Sequence, residues 1–560
     1  MMMMLPPLLL SIWAFQSSLT PTESFASPRT NSFVRNTNND GPISLAMARS
    51  EPLMEAQKVD LCIIGGGISG LTAAITAAEN SKQQSSKGND ISQSPSPPSI
   101  LLLESDSAVG GRVRSDYTDD GFILDRGFAV FVEEYPQSKK MLDYDALDLK
   151  QFLPGAKVKL QGRDKLATVA DPLRRRRDIF TALVSPVGTP LDKLRLLPLF
   201  YAVMTKSIDE LFAMEETDTL TCLKGKYKFS EEFISSFLGP FLEGIYLSPL
   251  EKQSSHMFHF VMKMFTTGLT SLPRGGMQAV ANQLESKANE LGVEVQFGSR
   301  ALSIKPAGND DYCEEFLLEV DSKGGGKQTV HAKSIVIATD IGIARTLLED
   351  IDGIEQRVKS LTKLPQRSVG CIYYGFQSPA PLADPILILN GEGSQRNTKE
   401  FPVNNVCFPS IVQRGYAPNG YELCSVSVLE KASSEHAGDH TSLDASVRKQ
   451  LSTWFPDHAN DIMDESKWVQ KGIYVINNAQ PTHYGKDGCA NVHGGRDCSS
   501  FQGVAMPSGM FVCGDHMATS TFNGALESGV NAGDAAGRFL AEARCQEGQR
   551  TTLHTSNKNE

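Results

Sequence analysis

The chain has no Cys-x-x-Cys pair, and its ten cysteines (Cys62, Cys222, Cys313, Cys371, Cys407, Cys424, Cys489, Cys498, Cys513 and Cys545) are scattered over 560 residues. That excludes a disulfide-stapled secreted scaffold and points to buried thiols in a reducing compartment. Metal-ligand clusters are equally scarce. Cys489, His493 and Cys498 match no common zinc spacing, and His256 and His259, which can share a helix face, have no further ligand in view. Positive charge is in deficit: 54 Lys and Arg against 65 Asp and Glu leave a net charge of -11. General nucleic-acid binding is thereby excluded, as is adhesion of the protein as a whole to acidic membranes. The one basic run, Arg174-Arg175-Arg176-Arg177, reads as a solvated helix face or as a local contact with anionic lipid or substrate carboxylates. No catalytic triad is visible, and no second Gly-x-Gly-x-x-Gly follows a strand.

What is present is organised around one stretch. Val59-Asp60-Leu61-Cys62-Ile63-Ile64 runs into Gly65-Gly66-Gly67-Ile68-Ser69-Gly70-Leu71-Thr72-Ala73-Ala74. A short apolar run, a glycine-rich turn and small residues at helical spacing predict the first strand, turn and helix of a dinucleotide-binding βαβ unit. Gly65 allows the tight turn, Gly67 the approach of a pyrophosphate, and Gly70 close packing of helix on strand. The free amides at the helix start, at Ile68 and Ser69, hold the phosphates. The helix is expected to end near Asn80, and residues 81–99, polar and punctuated by proline, read as a low-complexity insertion. The apolar run 100–103 then ends at Glu104. With the insertion deleted, Glu104 falls about 20 residues past the turn, the register of a ribose-binding acid. A carboxylate there accepts from both ribose hydroxyls and repels a 2′-phosphate, which favours FAD or NAD.

Downstream stand Val109-Gly110-Gly111-Arg112-Val113-Arg114-Ser115 and Gly121-Phe122-Ile123-Leu124-Asp125. With the glycine turn and Glu104, these segments resemble the FAD-dependent amine oxidase superfamily, which includes protoporphyrinogen oxidases, polyamine and monoamine oxidases, and carotenoid desaturases and isomerases. The resemblance implies an α/β fold: a Rossmann-like FAD-binding domain of the GR2 type, with an inserted helical cap and a mixed-sheet substrate domain. It implies FAD as cofactor, with Gly110 and Gly111 lying along it, Arg112 on phosphate or ribose, and backbone near Ala301 meeting the adenine. The closing segment Met510-Phe511-Val512-Cys513-Gly514-Asp515, followed by Thr519 to Gly533, completes the likeness. By that likeness Gly514 and Asp515 serve the ribityl or pyrophosphate oxygens, and Gly524 and Ala525 open a helix facing the flavin ring and pyrophosphate. His516 is a bystander, and Tyr474 is at best a candidate for an aromatic cage over the flavin.

The expected division is an FAD-binding domain from 58–130, 272–345 and 500–545, a helical cap at 131–271, a substrate-domain sheet at 346–499 and a disordered tail at 546–560. In the cap, 179–187, 191–204 and 229–246 carry helical periodicity, and their apolarity suits either core or peripheral membrane contact. Alternation in 369–375 and 423–428 predicts strands with one face toward a cavity, and a helix is expected near 443–454.

Residues 1–50 do not read as fold. The apolar run 5–15 is too short to span a bilayer but suits a signal-peptide core. Phe25-Ala26-Ser27-Pro28 and the acid-poor stretch after it resemble the bipartite plastid presequences of algae with secondary plastids, with cleavage before Phe25; an ordinary N-terminus on a cytoplasmic protein is the alternative. The sequence reading is therefore an FAD-dependent oxidoreductase that removes hydride from a small hydrophobic metabolite of isoprenoid or tetrapyrrole type and passes electrons to oxygen or a quinone. An amine oxidase is the alternative, and a non-catalytic binding protein like the Rab GDP-dissociation inhibitors is the alternative of another class.

Overall fold

The computed structural model describes residues 56–556, apart from 88–95, 128–129, 171–173, 175–183, 308–314, 324–325, 362, 364–365, 437 and 482–492. The presequence lies outside the described residues, as do Cys489 and most of the helix expected at 179–187. In chain order the elements that position the site are β1 (Gln57–Ile64), α1 (Ile68–Lys87), β2 (Ile100–Leu103), β3 (Ser115–Tyr117) and β4 (Ile123–Asp125). There follow β5 (Gly155–Leu160), β6 (Ala167–Ala170), α2 (Pro190–Thr205), α3 (Gly239–Tyr246), α4 (Ser255–Thr267) and α5 (Gln278–Glu290). Next come β7 (Glu294–Gln296), β8 (Ser299–Pro306), β9 (Phe316–Ser322), β10 (Gly326–Ile337), β11 (Gln366–Gln377), β12 (Leu387–Gly391), β13 (Val403–Cys407) and β14 (Tyr421–Leu429). Helix α6 (His440–Trp454), β15 (Val469–Pro481), β16 (Met510–Val512) and α7 (Phe522–Ser556) complete the set.

The first sheet has the order β7-β2-β1-β10-β9-β8. Strands β7, β2, β1 and β10 run parallel, and β8, β9 and β10 form an antiparallel meander. Strand β16 pairs in parallel with the end of β10. Parallel strands are covered on both faces, which is why β2 is apolar and buried throughout. Helices α1, α5 and α7 cover one face through Leu71, Ala74, Leu284 and Ala532. The other face packs on Ile341, Leu347 and Phe501.

The second sheet has the order β15-β11-β14-β13-β12-β5-β6. Strands β11 and β14 were expected to turn one face toward a cavity; the structure buries both faces. On one side Ile372, Tyr374 and Val426 meet α6 through Val447, Leu451 and Trp454. On the other, Cys371, Tyr373 and Leu423 meet Phe122 and Leu124 of the β3–β4 hairpin, together with Tyr416. The hairpin comes from a distant part of the chain, so local alternation gave no sign of this second cover.

Two helices outrun their expected ends. Helix α1 continues past Asn80 to Lys87, because Lys82, Gln83 and Gln84 are good helix formers and Ser81 ties its hydroxyl to Ala77 O at 2.8 Å. Helix α7 runs to Ser556 where a disordered tail was expected from 546, its composition up to Gln549 again favouring helix. In the cap, 191–204 is α2, and 229–246 is one run of turns that includes a π-turn at Ile234–Leu238. His256 and His259 both lie on α4. His259 Nδ1 donates to Ser255 O and Nε2 accepts from the Tyr227 hydroxyl, and burial lowers its pKa to about 4, so it is a neutral structural group.

Helices α1 and α7, far apart in sequence, pack with their backbones in close approach. A Cβ on Gly529 would lie 2.4 Å from Ser69 O, and one on Gly533 2.5 Å from Ala73 O. One on Gly537 would meet nothing closer than 3.6 Å. Asn80 Nδ2 donates to Asp534 Oδ1 at 2.6 Å on the same seam. Gly533→Ala is expected to lower unfolding stability by about 2 kcal/mol, since backbone atoms must part to admit the methyl. Gly537→Ala, free of that clash, is expected to be neutral or to stabilise by up to about 1 kcal/mol through helix propensity. Denaturant unfolding of the two variants checks the contrast.

Candidate functional site at the first glycine turn

Strand β1 ends at Ile64, and the chain turns at Gly65 with φ 108°, a region that favours glycine. A Cβ on Gly65 would sit 2.9 Å from Ala338 O, and one on Gly70 only 1.9 Å from Gly65 O, so both glycines are fixed by close approach. Gly67 differs: a Cβ there would have no atom within 4 Å. This is the open side of the turn, and a side chain would fill it. The first-turn amides of α1 at Ile68 and Ser69 have no intrahelical acceptor.

Glu104 closes the turn from the next strand. Its Oε2 accepts from Gly66 N–H at 2.8 Å and its Oε1 from Asp106 N–H at 2.7 Å, with the side chain buried. Oε1 also accepts from Ser105 Oγ at 3.3 Å, so it is Oε2 that keeps lone-pair capacity for a sugar hydroxyl. Gly110 N–H donates to Gly66 O at 2.9 Å, and a Cβ on Gly111 would lie 3.4 Å from Gly67 Cα, so the second glycine pair sits directly on the first. Ala301 lies further along, at an irregularity in β8, two residues after Ser299, whose N–H bonds Glu104 O at 2.8 Å.

Arg112 reaches across 403 residues of sequence to Asp515. Its two terminal nitrogens bond the two carboxylate oxygens at 2.8 and 2.7 Å, and Nη1 also donates to Ala479 O at 2.9 Å. Arg112 was expected on phosphate or ribose; the bonds it makes here are this bidentate clamp and the Ala479 contact, which sequence reasoning did not foresee. Gly514 holds φ 149°, donates its N–H to Ser528 Oγ at 3.0 Å, and packs so that a Cβ would lie 2.5 Å from the His516 ring. Burial lowers the pKa of His516 to about 4, which keeps it neutral beside the clamp.

The amides of Gly524 and Ala525 do not point outward as donors. Gly524 N–H bonds Thr521 Oγ1 at 3.1 Å and Ala525 N–H bonds Thr521 O at 3.0 Å. Gly524 is needed because a Cβ would fall 1.8 Å from Thr519 O. The first-turn amides of α7 left without an intrahelical acceptor are those of Phe522 and Asn523. Tyr474 is also engaged, its hydroxyl donating to Asp116 at 2.9 Å.

Sequence reasoning gave no role to Asp125. It is a buried node: it accepts from Ser115 Oγ at 2.6 Å, Met277 N–H at 2.9 Å and the Tyr416 hydroxyl at 2.7 Å, while burial pushes its carboxyl upward in pKa. The node ties the segment after Arg112 to the Pro-Arg-Gly-Gly-Met stretch before α5. His493 lies 3.5 Å from Asp209 and 3.8 Å from Glu527, and no group of three metal-binding side chains occurs among the described residues.

Open backbone at Gly67, two helix starts, a buried ribose-side acid and an arginine clamp fit the diphosphate, ribose and ribityl groups of FAD. Asp515→Ala is expected to weaken FAD binding by about 2 kcal/mol, roughly 30-fold, by stranding the Arg112 charge. Arg112→Met is expected to cost a similar amount. The double variant is expected to lose less than the sum, because each change breaks the same pair. Titration of the three apoproteins with FAD measures this; strict additivity would mean that the two residues act separately.

A search of curated protein sequences finds no match. Solved structures share the fold. An Exiguobacterium sp. 255-15 protein assigned as a protoporphyrinogen oxidase superposes with a TM-score of 0.56 at 15% identity, over 86% of this chain and 99% of that one. Putrescine oxidase bound to putrescine gives 0.53 at 15% identity over 88% and 100%. Cyclohexylamine oxidase from Brevibacterium oxydans IH-35A gives 0.55 at 14% over 87% and 99%. At such identities the likeness speaks for the fold alone. The family described as flavin containing amine oxidoreductase matches residues 68–536, nearly the whole described chain, and the protein belongs to it as an FAD-dependent oxidoreductase.

Proposed function

We propose that the protein oxidises a hydrophobic metabolite of isoprenoid or tetrapyrrole type rather than an amine, and that it does so in a plastid. The observation that carries the substrate reading is the apolar helical face formed by Phe237, Phe241 and Ile245. All three are partly covered side chains at four-residue spacing. Phe237 and Phe241 stack with ring centroids 6.1 Å apart. The Ile245 carbonyl accepts from Gln480 Nε2 at 3.1 Å, and the neighbouring Ala479 carbonyl accepts from Arg112. The Ile245 end of this apolar face therefore stands beside the cofactor clamp.

The carboxylate on the same helix is already engaged: Glu243 is paired with Arg396 at 2.5 Å. It offers no free charge to an ammonium group, which is the argument against an amine.

Bound FAD supplies the acceptor for a hydride from substrate carbon. The chain's own work is to hold and orient: Glu104 the ribose hydroxyls, Asp515 the polyol chain, and the amides of Ile68 and Ser69 the diphosphate. The cap helices exclude water from the substrate, which favours transfer without a dedicated protein base. Oxygen or a quinone then takes the electrons, and contact of the cap with a membrane belongs to the same reading. Anaerobic incubation of flavin-loaded protein with carotenoid precursors, protoporphyrinogen and polyamines is expected to bleach the flavin band with one of the first two. Bleaching by polyamines alone would overturn the substrate reading.

The plastid assignment rests on the presequence pattern around Phe25. A fluorescent fusion of residues 1–50 is expected to enter the plastid of an alga with secondary plastids, and Phe25→Ala to arrest it outside. Cytoplasmic fluorescence from the native sequence would favour the alternative.

A further inference from the structure

Near its C-terminal end strand β15 leaves the regular register of the second sheet. Ile476 pairs with Val369 of β11 and Gln480 pairs with Arg367, so Asn477, Asn478 and Ala479 stand opposite the single residue Ser368. Two extra residues are thus bulged out of the ladder, and Asn478 takes φ 58°, a left-handed conformation that asparagine tolerates better than most residues. The bulge sets two consecutive residues against two different parts of the molecule. The Ala479 carbonyl accepts from Arg112 Nη1 at 2.9 Å, the same nitrogen that bonds Asp515. Gln480 Nε2 donates to Ile245 O at 3.1 Å. Ile245 lies one residue before the end of α3, which stops where Leu247 turns left-handed at φ 52°. Its carbonyl is among the last of the helix, beyond the reach of an intrahelical donor, and a side-chain amide meets that need from outside.

We infer that this bulge links the cofactor site to the cap, and that Gln480 is the positioning residue through which bound FAD orders the C-terminal end of α3. The bonds to Ala479 and Asp515 use three of the five guanidinium N–H groups of Arg112, which leaves Nε and one hydrogen of Nη2 for a cofactor oxygen. A cofactor that fixes Arg112 and Asp515 fixes the Ala479 carbonyl, and the next residue carries that order to Ile245. The earlier part of α3 is held without this link. Asn404 Nδ2 donates to Pro240 O at 3.1 Å, a Cβ on Gly244 would lie 2.8 Å from the same nitrogen, and Arg396 pairs with Glu243. Only the final residues, from Ile245 on, therefore answer to the clamp. Linkage makes the effect reciprocal: a ligand that orders this helix end tightens FAD binding by the same factor by which FAD favours the ordered end. The inference rests on the FAD site and these contacts, and it holds whichever substrate the flavin oxidises.

Amide hydrogen exchange of the full-length apoprotein and of the FAD-saturated protein reads the link. In the native chain FAD is expected to slow exchange at Ile245, Tyr246 and Leu247 about fivefold more than at Phe237 and Leu238, the effect of one hydrogen bond secured. Gln480→Met, of similar length but without a donor, is expected to erase that difference at saturating FAD, and Arg112→Met to do the same. Gln480→Lys, which keeps a donor suited to a helix C-terminus, is expected to retain it. Flavin absorbance reports the occupancy of each sample. A residue that merely held the helix would change exchange equally with and without FAD. Equal FAD-induced protection in the native and Gln480→Met chains would therefore overturn the inference, as would a native holoprotein in which the helix end gains no such protection. If Gln480→Met does not fold, the other two variants decide. Protection that persists in Arg112→Met, or that vanishes in Gln480→Lys while flavin is held, would overturn it equally.

Discussion

The parallel packing of the first and last helices of the cofactor domain is the constraint on which the rest of the site depends. Gly529 faces Ser69, Gly533 faces Ala73, and Gly537 approaches Ala77, so α1 and α7 advance in the same direction. Their N-termini therefore lie at one end of the first sheet. Each carries a partial positive charge of about half an electron. Because Gly529 of α7 stands level with Ser69 of α1, the start of α7 at Phe522 lies six residues, about 9 Å, beyond the start of α1. The small residues of the seam thus have an electrostatic consequence: by letting the helices approach, they set two groups of unsatisfied amides at successive levels along one end of the sheet, each suited to electronegative groups of one extended cofactor.

The acids around this positive region have to serve hydroxyl groups without repelling the phosphates. Asp515 is charge-balanced by Arg112, and the bidentate geometry fixes both groups. Glu104 has no cation on it and instead accepts two backbone N–H bonds, which delocalise its charge into the turn it supports. Both arrangements keep acceptor lone pairs for sugar or polyol hydroxyls. They also explain why neither residue is replaceable by a mere hydrogen-bonding amide, since the Gly66 and Asp106 amides, like the guanidinium, all donate and need an acceptor on each side-chain atom.

Much of this half of the molecule was legible in the sequence because each motif answers a local backbone demand. Gly65 must turn at positive φ and Gly70 must admit Gly65 O; no other residue does either without strain. Glu104 was legible through its register once the insertion was set aside. What could not be read was anything that depends on two distant segments meeting. The partner of Arg112 lies 403 residues away. The second cover of β11 and β14 comes from a hairpin near residue 120, and the donors gathered on Asp125 come from 115, 277 and 416. Periodicity also failed to orient α2. A helix apolar nearly all round offers no polar face to assign to solvent, and its few charges, used for capping and for a backbone contact, point away from water.

The inserted cap consequently carries the individuality of the protein. Its α3 side presents Phe241 and Ile245 beside the clamp, with Glu243 neutralised by Arg396, and its α2 side presents leucines to the outside. A site walled by hydrocarbon and by paired charges selects on shape and apolar area. Such selection is weak per group: a methylene more or less changes binding by about 1–3 kcal/mol, whereas an unpaired polar group in the same place costs more. In this reading the enzyme distinguishes apolar substrates sharply from charged ones and only modestly from one another.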